Sequence, residues 1–132
     1  MLIVRSRSAA HALLDIVQCT VDDPRLPAIV ESSLPASPEE PSLRRRQVER
    51  ALEAVGTIRA ACPEEPCRGM RVSIDVRDPA VHAALQGMLL LYRQWIESDP
   101  ESGMIADAMD IAEIQATIHA CLEEDSGFML PV

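Results

Sequence analysis

Residues 78–97 read DPAVHAALQGMLLLYRQWIE, and the rest of the chain can be arranged around this stretch. Its apolar residues recur at helical spacing and extend around most of the helix circumference. The clearly polar positions are few: Gln86, Arg93 and Glu97. A surface helix usually has a wider polar side. We therefore expect a central helix over residues 79–97 that other elements cover on most sides.

The ends of this helix carry start and stop signals. Asp78 can cap the first turn, and Pro79 suits the first helical position, where no N–H partner is needed. Pro100 ends the helix, because the residue before a proline avoids helical backbone angles. The only tyrosine and the only tryptophan, Tyr92 and Trp95, lie within it. We expect both to anchor the core, with Trp95 the position most sensitive to substitution; stacking on a cofactor is the alternative.

Three further helices are predicted from apolar periodicity. They run from residue 6 or 8 to about 20, from about 42 to 61 and from about 99 to 124. The last helix should fold back on the central helix as an antiparallel hairpin, because the joint between them is short.

Residues 70–77 alternate apolar and polar side chains, which is the clearest strand signal in the chain. A lone strand is not stable, so it needs a partner. Residues 2–5, which are short and β-branched, could supply that partner, or the same strand of a second subunit could.

The whole chain, residues 1–132, is expected to form a single domain. Residues 22–41 contain five prolines and form a connector, with one or two helical turns near 27–34. Residues 126–132 form an apolar tail. The expected fold class is mostly α, an α-rich α+β fold with four main helices and one or two short strands.

Charge is unevenly placed along the chain. The 21 acidic and 12 basic residues give a net charge of −9. Residues 94–132 contain nine acids and no arginine, so the whole net charge lies in the last third. Affinity for nucleic acid comes mostly from neutralising phosphates. A chain of this charge is therefore a poor general binder of nucleic acid.

Lysine and asparagine are absent from the sequence. The absence of lysine excludes a phosphate-loop lysine, a Schiff-base lysine and a Ser–Lys dyad. No apolar run of about 18 residues could span a membrane, and the first residues lack the order of a secretion signal. We expect a cytoplasmic protein, and the composition suggests a bacterial or phage origin.

Cysteine and histidine supply the metal and catalytic candidates. Cys62 and Cys67 form one close pair, which could hold a metal, form a disulfide or be incidental. Structural zinc usually needs a second close pair, which is absent. His11, His82 and His119 are far apart and lie in no catalytic motif. We expect no catalytic residue, no cofactor and no metal site; a small metal- or ligand-binding enzyme using Cys62 and Cys67 remains an alternative.

Arg44, Arg45 and Arg46, with Arg50, form the one basic cluster. At the start of a helix these charges oppose the helix dipole, which suggests an anionic partner. A DNA-binding transcriptional regulator that uses the Arg44–Arg50 helix is therefore a second alternative. Glu49, which alternates with these arginines, argues against DNA binding, because its carboxylate would face phosphates.

The main interpretation is a small protein–protein interaction module of the adaptor, chaperone, inhibitor or anti-activator type. It would act by surface contact as a homodimer, with a protein partner of unknown identity. The dense acids of the last third repel one another, so the arginine helix or a basic partner should offset them. The expected partner-binding residues are Glu97, Asp99, Glu101, Asp110, Glu113, Arg44, Arg45, Arg46 and Phe128.

Overall fold

A computed structural model describes the backbone of residues 2–34, 41–98 and 108–128, and the side chains of these ranges except residues 108 and 122–128. The described residues form five helices and one two-stranded sheet, which confirms the predicted α-rich α+β fold. In chain order the elements are β1 (Leu2–Val4), α1 (Arg7–Thr20), α2 (Leu26–Ser33), α3 (Pro41–Ala61), β2 (Met70–Val72), α4 (Pro79–Ser98) and α5 (Ala108–Phe128).

Helix α4 lies at the centre of the fold and packs against α1, α2 and α3. Asp78 caps it, since its Oδ1 accepts a hydrogen bond of 2.9 Å from the backbone N of Ala80. Its buried residues occupy most of the circumference: Val81, Ala83, Ala84, Leu85, Gly87, Met88, Leu89, Leu91 and Tyr92. The prediction of a central helix covered on most sides is confirmed.

Helix α2 approaches α4 closely at Gly87. A Cβ atom added to Gly87 would lie 2.7 Å from Val30 Cγ2 and 3.2 Å from Val30 Cα. Val30 is fully buried, and Leu26, one turn before it on α2, is 2% exposed. The short helix expected inside the proline-rich connector therefore belongs to the core, and a glycine on α4 makes room for it.

Strands β1 and β2 pair antiparallel, with Leu2 opposite Val72, Ile3 opposite Arg71 and Val4 opposite Met70. The N-terminal residues thus supply the strand partner from within the same chain. The ladder is shorter than the predicted strand at 70–77, because β1 offers only three residues. After Val72 the alternation continues without pairing, since Ile74 and Val76 are buried while Asp75 is exposed.

Helix α5 runs antiparallel to α4. The side-chain amides of Gln86 and Gln115 bond reciprocally, with N···O distances of 3.1 and 3.0 Å. Ile96 comes after Gln86 on α4, whereas Ile111 comes before Gln115 on α5, and both line one cavity. The two helices therefore run in opposite directions. The predicted antiparallel direction agrees with these contacts, but α5 packs mainly against α1 and β1 and only weakly against α4. The joint of the predicted hairpin, at residues 99–107, and the predicted helix start near residue 99 lie outside the described residues.

The two aromatic anchors are buried in the opposite order to the prediction. Tyr92 is 0% exposed, whereas Trp95 is only partly buried against the core. The Tyr92 hydroxyl donates a hydrogen bond to the carboxylate of Asp15 on α1. The exposed Arg25 guanidinium lies over the Trp95 ring, 5.4 Å from its centroid. Tyr92 is therefore the central aromatic residue, and the sensitivity expected of Trp95 passes to Tyr92.

Candidate functional site

The side of α5 that faces away from the core is almost uncharged. Among residues 109–121, the exposed positions are Met109, Ala112, Ala116, His119 and Ala120. Met109 is 81% exposed. The opposite side holds the buried row of Ile111, Ile114 and Ile118. Helix α5 thus carries exposed apolar residues opposite its core side, and we call the side made of Met109, Ala112, Ala116 and Ala120 the α5 outer face.

A groove of about 510 Å³ lies between β1 and α5, beside the α5 outer face. Ile3, which is 45% exposed, lies on the β1 side of the groove. Ala116 and Ala120 lie on the α5 side. Arg5 adds a cation on the β1 wall and Glu113 an acid on the α5 wall. The groove is therefore apolar at its centre, with opposite charges on its two walls.

Two of the predicted partner-binding acids contact the start of α1. Ser6 Oγ donates a hydrogen bond of 2.8 Å to Glu113 Oε2, and Ser8 Oγ donates one of 2.7 Å to Asp110 Oδ1. Ser6 also caps α1, because its Oγ accepts a bond of 3.0 Å from the backbone N of Ala9. Negative charge near a helix N-terminus is favourable. The N-terminus of α1 thus offsets part of the acidic charge, a role that the sequence interpretation had given to arginines or a partner.

The predicted arginines lie elsewhere, near the start of α3. Arg44 Nη2 donates a hydrogen bond of 2.8 Å to the backbone oxygen of Glu31 near the end of α2. A cation at a helix C-terminus is favourable, so α2 provides Arg44 with an anionic contact inside the chain. Arg45 and Arg46 are exposed. These contacts join α3 to α2, whereas the contacts of Asp110 and Glu113 join α5 to α1.

The remaining predicted partner residues are dispersed. Glu97 is exposed near the end of α4 and lines a cavity of about 280 Å³ with Arg93 and Ala112. Asp99 and Glu101 lie outside the described residues. Phe128 is the last residue of α5, and its side chain is also outside the described part.

All four cysteines are free thiols. Burial raises the pKa of the Cys62 thiol to about 11, whereas Cys67 is exposed in the loop after α3. The structure therefore has no disulfide between Cys62 and Cys67. Burial and the neighbouring Asp15 carboxylate also raise the pKa of Cys19. No feature of these environments activates Cys19 or Cys62, because the thiolate is the reactive form.

The two loop cysteines should differ in reactivity. At pH 8, a thiol reagent such as a disulfide dye should label Cys67 quickly and Cys62 at least tenfold more slowly, since a higher pKa leaves less thiolate. The rates can be measured in Cys67→Ser and Cys62→Ser variants, each in a background without Cys19 and Cys121. Equal labelling rates would contradict the burial of Cys62.

Two features are absent from the described ranges, residues 2–34, 41–98 and 108–128. No group of three or more His, Cys, Asp or Glu residues comes together there as metal ligands. No helix there is long and apolar enough to cross a membrane.

Comparison with known proteins does not add a function. No family model, curated protein or solved structure matches the chain. The candidate site therefore rests on the geometry of α5 and β1.

Sequence reasoning overlooked the α5 outer face, although a signal for it exists. Ala112, Ala116 and Ala120 are spaced four residues apart, which places them on one side of a helix. The isoleucines of the same helix dominate its hydrophobic pattern and indicate only the side that faces the core. Alanine is common on exposed helix surfaces because of its high helix propensity. The three alanines alone therefore do not indicate a contact surface, whereas the exposed Met109 beside them does.

Proposed function

We propose that this chain is a small protein–protein interaction module that acts by surface contact and works as a homodimer. The observation that carries the proposal is the α5 outer face. Exposed apolar side chains that lie together on one side of a helix can mark a contact surface. Here Met109 and the three alanines are exposed, with Ile3 across the groove.

A second copy of the chain suits this face electrostatically. Each copy carries a net charge of −9, so two copies repel over most of their surfaces. Within residues 109–121, the α5 outer face has no charged residue, and Glu113 beside it is already bonded to Ser6. Contact through this face therefore costs less electrostatic repulsion than contact elsewhere. Alanine side chains also let two helices pack at the short end of the usual interaxial range, about 8 Å.

The acids around this face fit a role in contacting a further protein. Asp110 and Glu113 are half-buried on α5, and Glu97 is exposed beside the cavity at the end of α4. In this proposal they orient a basic partner in a cytoplasmic setting, in the manner of an adaptor or inhibitor, while the uncharged face joins the two copies. Charges at the rim of an interface mainly affect association rate and specificity.

A DNA-binding regulator has less support. Arg44 is held by the α2 carbonyl, and the exposed side of α3 mixes Arg45, Arg46 and Arg50 with Glu49. The net charge of −9 opposes approach to phosphates. Salt-sensitive retention on DNA would favour this alternative.

Charge placed on the α5 outer face should separate the copies. We expect light scattering at micromolar concentration to give twice the 14.5 kDa chain mass for the parent and the single chain mass for Ala116→Glu. Burying an unpaired carboxylate in an interface is costly. Leu43→Glu is the matched control, because Leu43 is an exposed apolar residue on another helix, 46% exposed.

The control variant should remain dimeric, and circular dichroism should give the same helix content for all three proteins. A parent that has only the single chain mass would remove the homodimer from the proposal. A dimer that persists in Ala116→Glu and breaks in Leu43→Glu would move the contact to α3.

A further inference from the structure

Two histidines occupy matching positions on the antiparallel helices α4 and α5. The reciprocal amide pair of Gln86 and Gln115 sets the register of the two antiparallel helices. His82 lies four residues before Gln86, and His119 lies four residues after Gln115. Residues four apart lie one above the other on a helix. His82 and His119 therefore lie at the same level of the two helices, one turn from the amide pair.

The surroundings of His82 agree with this placement. Burial lowers the pKa of His82, and the positive charge of a protonated His119 lowers it further. The Nδ1 atom of His82 is buried and has no hydrogen-bond partner among the described residues. An unsatisfied buried nitrogen costs free energy, and a bound cation is one way to remove that cost.

We propose that His82 and His119 form a two-histidine site for a divalent transition-metal ion of the class that imidazole binds, such as Ni²⁺, Cu²⁺ or Zn²⁺. Neutral imidazole suits these ions, whereas carboxylate and carbonyl oxygens suit Mg²⁺ and Ca²⁺. Two protein ligands leave the remaining coordination positions to water. The site is separate from Cys62 and Cys67, the pair that the sequence offers for metal binding.

Metal binding here would act on the helix that carries the α5 outer face. An ion held by both histidines links α4 to α5, so it should stabilise their contact. This effect does not require self-association, and the site goes beyond the proposed interaction function. The two proposals can therefore fail separately.

Nickel is the sharpest probe of this site. Ni²⁺ can be titrated into the full chain by calorimetry, with Tm and the near-ultraviolet absorption followed in parallel. His119→Ala is the main variant, because His119 is exposed and its loss should leave the fold intact. His82→Ala tests the buried partner. His11→Ala is the matched control, since it removes an exposed histidine from α1.

The parent should bind one Ni²⁺ per chain, and bound metal should raise its Tm because only the folded state holds the two ligands together. His119→Ala and His82→Ala should each weaken binding at least tenfold and abolish the rise in Tm. His11→Ala should match the parent. The absorption should lack the charge-transfer band that a thiolate ligand gives.

Three results would overturn the site. The first is a parent that does not bind Ni²⁺ at millimolar concentration, and the second is a His119→Ala protein that binds Ni²⁺ as tightly as the parent. A thiolate band that disappears in a Cys62→Ser, Cys67→Ser variant would place the metal at the cysteines instead.

Discussion

Replacement of Tyr92 by alanine is expected to lower the free energy of unfolding by about 3–5 kcal/mol, the usual cost of removing a large buried aromatic ring. Tyr92 is 0% exposed and lies in the middle of the core on α4. The substitution also removes the hydroxyl that donates to Asp15. Urea unfolding followed by circular dichroism measures the loss.

Two further variants measure the contribution of the Tyr92 hydroxyl and that of the neighbouring Trp95 ring. Tyr92→Phe keeps the packing but removes the donor to Asp15, and should cost about 1–3 kcal/mol. Trp95→Ala should cost less than Tyr92→Ala, because Trp95 is only partly buried. It must be followed by circular dichroism, since it removes the only tryptophan. A larger loss for Trp95→Ala would reverse the packing order of the two rings.

Replacement of Gly87 by alanine should also destabilise the fold, by about 1–3 kcal/mol, as overpacking of a core does. The new Cβ would lie 2.7 Å from Val30 Cγ2 and 3.2 Å from Val30 Cα. Valine is stiff about χ1, so the methyl group cannot simply turn away, and the backbone of α2 would have to move. This cost should exceed the gain of about 1 kcal/mol that alanine brings in helix propensity.

Gly56→Ala is the matched control for this prediction. Gly56 lies inside α3, is exposed, and has no atom within 4 Å of an added Cβ. Alanine there should stabilise the protein by about 0.5–1 kcal/mol. A Val30→Ala, Gly87→Ala double variant should lose less than the sum of its single losses, because the close contact with Val30 Cγ2 is gone. A Gly87→Ala protein as stable as Gly56→Ala would mean that α2 does not lie against α4 as described.

Much of the fold could be predicted from the sequence because periodic burial leaves a periodic pattern. The span of α4 follows from its apolar circumference and from Asp78 and Pro79, and the structure places it at Pro79–Ser98. The alternation at residues 70–77 predicts a strand but leaves its partner open between residues 2–5 and a second subunit; in the structure the partner is β1. The length of the ladder could not be predicted either, because it depends on how many residues β1 contributes.

The candidate site was harder to predict because its contacts join distant parts of the chain. A charge count predicts that Asp110 and Glu113 need cations, but their partners are the hydroxyls of Ser8 and Ser6, which carry no formal charge. The sequence also does not show which of Tyr92 and Trp95 is more deeply buried. Three residues apart on one helix, they point in similar directions, and only the placement of α1 decides which is deeper.

The hydrogen bond between Ser6 and Glu113 links residues 107 positions apart in the chain, and this separation sets an order for folding during synthesis. Ribosomes add about 5–20 residues per second, so roughly 5–20 s pass between the two residues. During that interval, β1 and α1 have emerged but α5 does not yet exist. The helices α2, α3 and α4, which are closer in sequence, can pack first, and β1 can pair with β2. The contacts of α5 with α1 and β1 cannot form until residues 108–128 have been made. A nascent chain stalled before α5 should therefore be the species most in need of a chaperone.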